Sequence, residues 1–129
     1  MVISIKVVDC LVRKTLVDQW SSTDILFWNT FKQLDITESL LQPHDDPLFG
    51  FVSERVSMKG PIELLMRFDT KKDEYIDVIV KYMVIHVSTS YNILLGQLSI
   101  NAIGAIVFAP HLTMKLPMDD GSIVMVQEE

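Results

Sequence analysis

The sequence has a single cysteine, Cys10, among its 129 residues. One thiol cannot form an intrachain disulfide, so the fold must be held together by its hydrophobic core. Cys10 is interpreted as a small buried hydrophobe, because the sequence around His44, His86 and His111 does not suggest a base that would activate a nucleophile. The scarcity of cysteine favours an intracellular protein, without distinguishing the cytoplasm from the nucleus.

Basic residues are also few, with 11 Lys and Arg against 17 Asp and Glu and a formal net charge of -6. They form no cluster, and a negative chain repels phosphate backbones at long range, so no nucleic-acid partner is expected. No apolar run approaches the length of a membrane span, and residues 1–6 alternate too strictly for a signal peptide. The sequence therefore predicts no membrane association.

Hydrophobic residues make up 49% of the chain and charged residues 22%. This balance is typical of a folded globular chain and argues against disorder. We expect one domain over residues 1–129, because the chain has no internal repeat, linker or low-complexity tract. Its apolar start resembles a segment cut from a longer polyprotein.

Short segments with β-strand character follow one another along most of the chain. Residues 2–8 and 11–17 alternate and are joined by a plausible turn at Asp9 and Cys10, which predicts a hairpin. The other predicted strands are residues 48–56, 62–68, 75–87, 106–108, 112–116 and 123–126. Many short strands separated by turns indicate a mostly β domain, either a closed barrel or a sandwich.

Two helices are expected within this β pattern. The longer is predicted over residues 23–34, where Ser21 and Asp24 have the spacing of a capping box ahead of an apolar run. The apolar residues with helical spacing are Ile25, Leu26, Trp28, Phe31 and Leu34. A shorter helix is predicted over residues 99–103, and a weak helical turn over residues 37–41.

The loop after the strand predicted over residues 11–17 contains the residue of most chemical interest. An apolar strand ends on the carboxylate of Asp18, and the hydroxyl residues Ser21 and Ser22 follow it closely. On its own, an aspartate in this position is usually a turn residue or a helix cap. His44, Asp45 and Asp46 are interpreted as a solvated loop, because no second ligand cluster has the spacing of a metal site.

Several motifs in series resemble the retropepsin-type aspartic protease domain of gypsy-class retrotransposon polyproteins, which are common in plant genomes. Residues 16–27 resemble that family's active-site segment, a Leu-Val-Asp followed by Ser-Ser and Asp-Ile-Leu. Residues 50–60 resemble the family's flap, and residues 91–96 its hydrophobic-hydrophobic-glycine motif. The likeness continues to Pro117. Motifs in the right order over nearly the whole chain are much more specific than any one of them.

The resemblance implies a retropepsin-like β-barrel with one main helix and one short helix. It also implies an aspartic endopeptidase in which Asp18 and the same residue of a second chain form a catalytic dyad across a homodimer. A polypeptide substrate would lie beneath the flap as an extended strand. The residues expected to bind it are Ser21, Ser22, Gly50, Phe51 and Val52. No metal ion or organic cofactor is called for.

The sequence departs from the family at the centre of this motif. Gln19 and Trp20 replace the hydroxyl residue and the glycine that follow the catalytic aspartate in the family. An indole brings roughly 150–250 Å² of surface to a crowded dimer axis, unless it turns outward and the loop rearranges. Gln97 and Leu98 replace the arginine and proline that the family commonly has there. We therefore expect impaired catalysis.

Three functions remain open from the sequence. The first is an aspartic endopeptidase of retroelement origin, with weak activity or none. The second is a non-catalytic binding or dimerisation module that keeps the retropepsin fold. The third is a decayed retroelement fragment without a selected role. The residues Gln19 and Trp20 favour the second and third, whereas Asp18, Ser21 and Ser22 indicate protease ancestry for all three.

Overall fold

The computed structural model describes residues 1–42, 57–69, 75–108, 113–118 and 121–128. The strands in these ranges are β1 (Val2–Val7), β2 (Cys10–Val17), β3 (Ile25–Phe27), β4 (Ser57–Asp69), β5 (Tyr75–His86), β6 (Ile93–Leu95), β7 (Ile106–Phe108), β8 (Thr113–Pro117) and β9 (Ile123–Gln127). The helices are α1 (Trp28–Gln33), a 3-10 turn (Glu38–Leu40) and α2 (Gln97–Ala102). The predicted loop at His44, the predicted strand over residues 48–56 and most of the predicted flap lie outside the described residues.

Six strands close into a barrel in the order β1-β2-β6-β3-β5-β4. Successive side chains of a strand point to opposite faces, so one face of each strand can fill the barrel interior. In β1 every second residue is buried, namely Ile3, Ile5 and Val7. The long β4–β5 hairpin is antiparallel, whereas β2 pairs with β6 and β3 pairs with β5 in parallel. The prediction of a mostly β domain with a closed barrel is therefore confirmed.

The strands β7, β8 and β9 form a separate antiparallel sheet. Its inner face places Met114 and Leu116 in the main hydrophobic core. The opposite face exposes Ile106, Ile123 and Met125. This second sheet therefore shares one core with the barrel.

The helix expected over residues 23–34 is wrong in its first half. Residues 25–27 form the strand β3, in which Leu26 is paired with Ile93 on one side and Val84 on the other. A short apolar run fits a buried strand as well as a helix, and tertiary pairing decides between them. The helix α1 begins only at Trp28, without a side-chain cap, so Ser21 and Asp24 form no capping box.

Other expectations are corrected in smaller ways. The helix expected over residues 99–103 is present, but α2 begins at Gln97. Both α-helices have six residues, so neither is the main one. Cys10 is exposed rather than buried, because it follows the tight turn between β1 and β2. In the described part of the chain, neither helix is long and apolar enough to cross a membrane.

Candidate active site

Asp18 is the first residue after β2, at the point where β2 runs beside β6. The parallel pairing of Val17 with Leu95 brings the two strand ends together. The Asp18 N–H donates to the Leu95 carbonyl at 2.9 Å, which continues this pairing by one residue. The side chain is half-buried, and its Oδ1 accepts the Trp20 N–H at 3.0 Å. One carboxylate oxygen is thus held by the backbone of its own loop.

Gln19 and Trp20 form the tip of this loop, called the loop tip below. Both residues are exposed, and the Trp20 side chain is 88% accessible to solvent. The indole therefore turns outward in the single chain, one of the two arrangements considered from the sequence. An indole normally buries most of its surface, so this exposure is costly unless something covers it.

Ser21 and Ser22 follow the loop tip and have different surroundings. The Ser21 hydroxyl donates to the Thr23 carbonyl at 2.9 Å, so it is occupied within a local turn. Its backbone carbonyl accepts the Gln97 N–H at 2.7 Å. Ser22 is exposed. The other expected substrate-binding residues, Gly50, Phe51 and Val52, lie outside the described residues.

Gly96 and Asp24 form the contact that holds the base of the loop. The Gly96 N–H donates to Asp24 Oδ1 at 2.7 Å. A Cβ atom at Gly96 would lie 2.7 Å from the carbonyl oxygens of both Ser21 and Thr23, closer than real Cβ contacts. Glycine is required here by the close approach of two backbones, not by an unusual φ. Residues 21–24 with residues 95–97 are called the loop base below.

Asp24 is a residue of the loop base whose contact sequence reasoning missed. It is only 4% exposed and lies 72 residues from its partner Gly96, a separation that no local pattern can show. Burial raises the pKa of its carboxyl, while hydrogen bonds from the Gly96 N–H and the Ser99 hydroxyl act in the opposite direction. The sequence held one signal for this contact, namely that Asp24 stands directly before the apolar residues of β3. An acidic residue is rarely buried without a partner, so its place beside a buried strand could have indicated a specific contact.

Tyr82 on β5 is the titratable group that responds to Asp24. It is fully buried, and its hydroxyl lies 3.0 Å from the Sδ atom of Met66. Burial, and secondly the charge of Asp24, raise the pKa of this phenol well above its usual range. Tyr82 therefore stays neutral and places no second negative charge near Asp24.

Gln97 and Leu98 open α2, where the family resemblance places arginine and proline. Both side chains are exposed. Gln97 contributes its backbone N–H to the loop base, a contact that any residue except proline can make. An uncharged Gln97 cannot form the ion pair that an arginine would offer. Within the described ranges, no group of three or more His, Cys, Asp or Glu residues is placed to hold a metal ion.

Comparisons with known proteins bear on this geometry. No family model matches the sequence, and no curated protein matches it. The structure is similar to the crystal structure of the retroviral protease-like domain of Ddi1 from Leishmania major, with a TM-score of 0.72 and 15% sequence identity. That likeness covers 98% of this chain and 91% of the other. The chain therefore has a retropepsin-like fold, as the sequence predicted. At this identity the likeness is evidence for the fold alone.

Proposed function

We propose that the chain supplies one half of an aspartic endopeptidase site, with Asp18 as the catalytic carboxylate. The observation that carries the proposal is the position of Asp18. It follows β2 directly, its N–H is bonded to the end of β6, and its Oδ1 is held by a backbone N–H. A carboxylate held in this way, in a fold shared with a retroviral protease-like domain, is suited to a shared site. The motif order also supports a retroelement origin.

The proposed mechanism needs two chains. A two-fold axis would bring the two copies of Asp18 together, so that they share one proton across a water molecule. Two close carboxylates cannot both ionise easily, so one stays protonated and the other ionised. The ionised group would take a proton from the water, which attacks the peptide carbonyl, while the protonated group polarises that carbonyl.

The loop tip is the reason for expecting low activity. Trp20 is exposed in the single chain. Two copies near a shared axis would compete for the same space or push the two loops apart. Overpacking a fitted site costs roughly 1–3 kcal/mol. Separated carboxylates would also lose the repulsion that keeps one of them protonated, and the site would then lack its acid.

The same exposed indole favours a second candidate function, a non-catalytic binding module. Exposed large aromatic residues are enriched at protein interfaces, because they bury much area at a low cost in side-chain entropy. In this alternative the chain keeps the retropepsin fold, and Trp20 serves contact rather than catalysis. The two candidates differ in one measurable property, namely cleavage that depends on Asp18.

The test compares three purified proteins on an unstructured polypeptide substrate at mildly acidic pH. These are the chain itself, the double variant Gln19→Thr/Trp20→Gly, and that double variant with Asp18→Asn. We expect little cleavage by the first, measurable cleavage by the second and none by the third. Sedimentation of each protein over a range of concentrations measures dimer formation in the same samples.

Each other outcome is informative. If the unaltered chain cleaves robustly, its own Asp18→Asn variant is tested as well, and loss of that cleavage would overturn the proposed impairment. A double variant that folds and dimerises but cleaves nothing would favour the binding module. Cleavage that persists after Asp18→Asn would rule out Asp18 as the catalytic residue.

A further inference from the structure

Three hydrogen bonds attach the loop that carries Asp18 to the residues at the end of β6. They run from the Asp18 N–H to the Leu95 carbonyl at 2.9 Å, from the Gln97 N–H to the Ser21 carbonyl at 2.7 Å, and from the Gly96 N–H to Asp24 Oδ1 at 2.7 Å. The first two join backbone atoms and do not depend on side-chain identity. Only the third depends on a side chain, so Asp24 is the residue through which the attachment can be altered.

The strength of this third bond depends on the charge of Asp24. The Gly96 N–H and the Ser99 hydroxyl both donate to the carboxylate, and both favour its ionised form. Hydrogen bonds to an ionised acceptor are roughly twice as strong as those between neutral groups. Ser99 is itself only 4% exposed, so water does not readily replace its contact. The attachment therefore depends on the Asp24 carboxyl group, and removing that group leaves both donors without their acceptor.

The two groups that hold the Asp24 carboxyl are neutral donors. Ser99 of α2 contributes a hydroxyl and Gly96 a backbone N–H, while the buried Tyr82 on β5 stays neutral. Burial is the largest influence on the carboxyl and raises its pKa, so the folded chain holds this proton more tightly than an exposed aspartate would. Protonation therefore does not oppose folding of the loop, and the contact is tested by changing the side chain at a fixed pH.

We infer that Asp24 is a positioning residue for Asp18: its carboxyl group holds the loop base together, and its removal loosens the loop that carries Asp18. The attachment itself follows from contacts in the single chain. Its consequence for peptide cleavage rests on the proposed function. A looser loop would place Asp18 less accurately for the reaction, which lowers kcat more than it changes KM.

The inference is tested by hydrogen exchange of individual amides in the ¹⁵N-labelled full chain. The amides of Asp18 and Gln97 report the loop base. The Gln42 amide, which donates to the Pro61 carbonyl at 2.8 Å, serves as a control outside the loop base. Protection factors, which correct for intrinsic exchange, are compared between the parent and its variants at one near-neutral pH. The variants are Asp24→Ala and the near-isosteric Asp24→Asn.

We expect Asp18 and Gln97 to lose about three- to tenfold of their protection in Asp24→Ala, the loss that follows from one hydrogen bond. Gln42 should keep its protection. Asp24→Asn, which keeps an oxygen for the Gly96 N–H, should restore most of the lost protection. Unchanged protection at Asp18 and Gln97 in Asp24→Ala, or an equal loss at Gln42, would overturn the inference. If Asp24→Ala does not fold, Asp24→Ser, which shortens the side chain but keeps it polar, decides by the same comparison.

A second measurement separates this inference from the proposed function. In the Gln19→Thr/Trp20→Gly background, Asp24→Ala should lower kcat with little change in KM, and Asp24→Asn should restore much of the lost kcat. A kcat unchanged by Asp24→Ala would overturn the positioning role. If that background cleaves nothing at all, the proposed function fails, whereas the exchange measurements still decide whether Asp24 holds the loop.

Discussion

The loop base and the loop tip lie only a few residues apart, yet they are built in opposite ways. At the base, Asp24 is buried, Gly96 has no room for a side chain, and two hydrogen bonds join the two chain segments. At the tip, Gln19 and Trp20 are exposed, and the Trp20 N–H donates back to Asp18 of the same loop. Both residues of the tip depart from the family motif, whereas in the base Gln97 departs only in an exposed side chain and keeps its backbone bond to Ser21. Folding constrains the base strongly and the tip hardly at all, so a catalytic motif can change there while the fold is kept.

The sharpest way to break the loop base is Gly96→Ala. The added Cβ atom would lie 2.7 Å from two backbone carbonyl oxygens, neither of which can rotate away as a side chain would. We expect a loss of at least about 1–3 kcal/mol in the free energy of unfolding, the usual cost of overpacking. Urea denaturation followed by circular dichroism measures it.

Gly121→Ala is the matched control for this substitution. Gly121 has open space around its Cα but a positive φ of 88°. Alanine there should cost only the left-handed backbone penalty of roughly 1 kcal/mol. If Gly96→Ala costs no more than Gly121→Ala, the two chain segments are not packed as closely as the structure shows.

Removing the Asp24 side chain should have the next largest effect. Asp24→Ala leaves the Gly96 N–H and the Ser99 hydroxyl buried without their acceptor. An unsatisfied buried donor costs about 1–3 kcal/mol. Asp24→Asn, which keeps an oxygen for the Gly96 N–H, should recover most of that loss near neutral pH. Equal unfolding free energies for the alanine variant and the parent would contradict the role of Asp24 in the base.

The pH dependence of stability tests the charge of Asp24 separately. Its folded-state pKa is raised above the ordinary 3.8, so the folded chain holds this proton more tightly than the unfolded chain. The stability it contributes is fully present below 3.8 and is lost as the pH rises through the folded-state pKa. The Asp24→Asn side chain does not ionise, so the variant keeps this contribution at every pH. The stability of the variant relative to the parent should therefore increase as the pH rises from 3.8 through the folded-state pKa of Asp24. Urea titrations from about pH 3 to pH 8 measure the difference.

Asp77 provides a control of opposite sign. Two hydrogen bonds from Arg67, with N–O distances of 2.7 and 2.9 Å, lower the pKa of this exposed carboxyl. The stability that Asp77 contributes is present above its ordinary pKa and is lost as the pH falls. The parent therefore gains this stability as the pH rises and Asp77→Asn does not, so the variant should become less stable relative to the parent. Solvent screening keeps this effect small. The same sign for both variants would show that the pH response does not come from these two carboxyls.

The barrel could be predicted from the sequence because strand alternation is a local property, as in β1, where every second residue is buried. The position of Asp18 directly after an apolar strand could be predicted for the same reason. The short strand β3 could not, because its two partners come from β5 and β6, far along the chain. The role of Asp24 was missed for a similar cause. Its polar side chain has local helix-cap spacing, and only the contact with Gly96 shows what it does instead.

The smallest expected effect is at the loop tip, where Trp20→Ala should change the free energy of unfolding by less than about 0.5 kcal/mol. An indole that is 88% exposed in the folded chain loses little burial when it is removed. The control is Trp28→Ala, since Trp28 is half-buried and stacks on Phe31 with ring centroids 5.1 Å apart. We expect that variant to cost more than about 1 kcal/mol. Both are measured by circular dichroism, because each variant keeps one tryptophan and fluorescence would weight the two differently.

The comparison of Trp20→Ala with Trp28→Ala also tests for assembly. If two chains bury Trp20 between them, Trp20→Ala destabilises the protein more as its concentration rises, whereas the cost of Trp28→Ala stays constant. A cost for Trp20→Ala as large as that for Trp28→Ala in dilute solution would mean that the loop tip packs against the chain itself, and the contrast between tip and base would not hold.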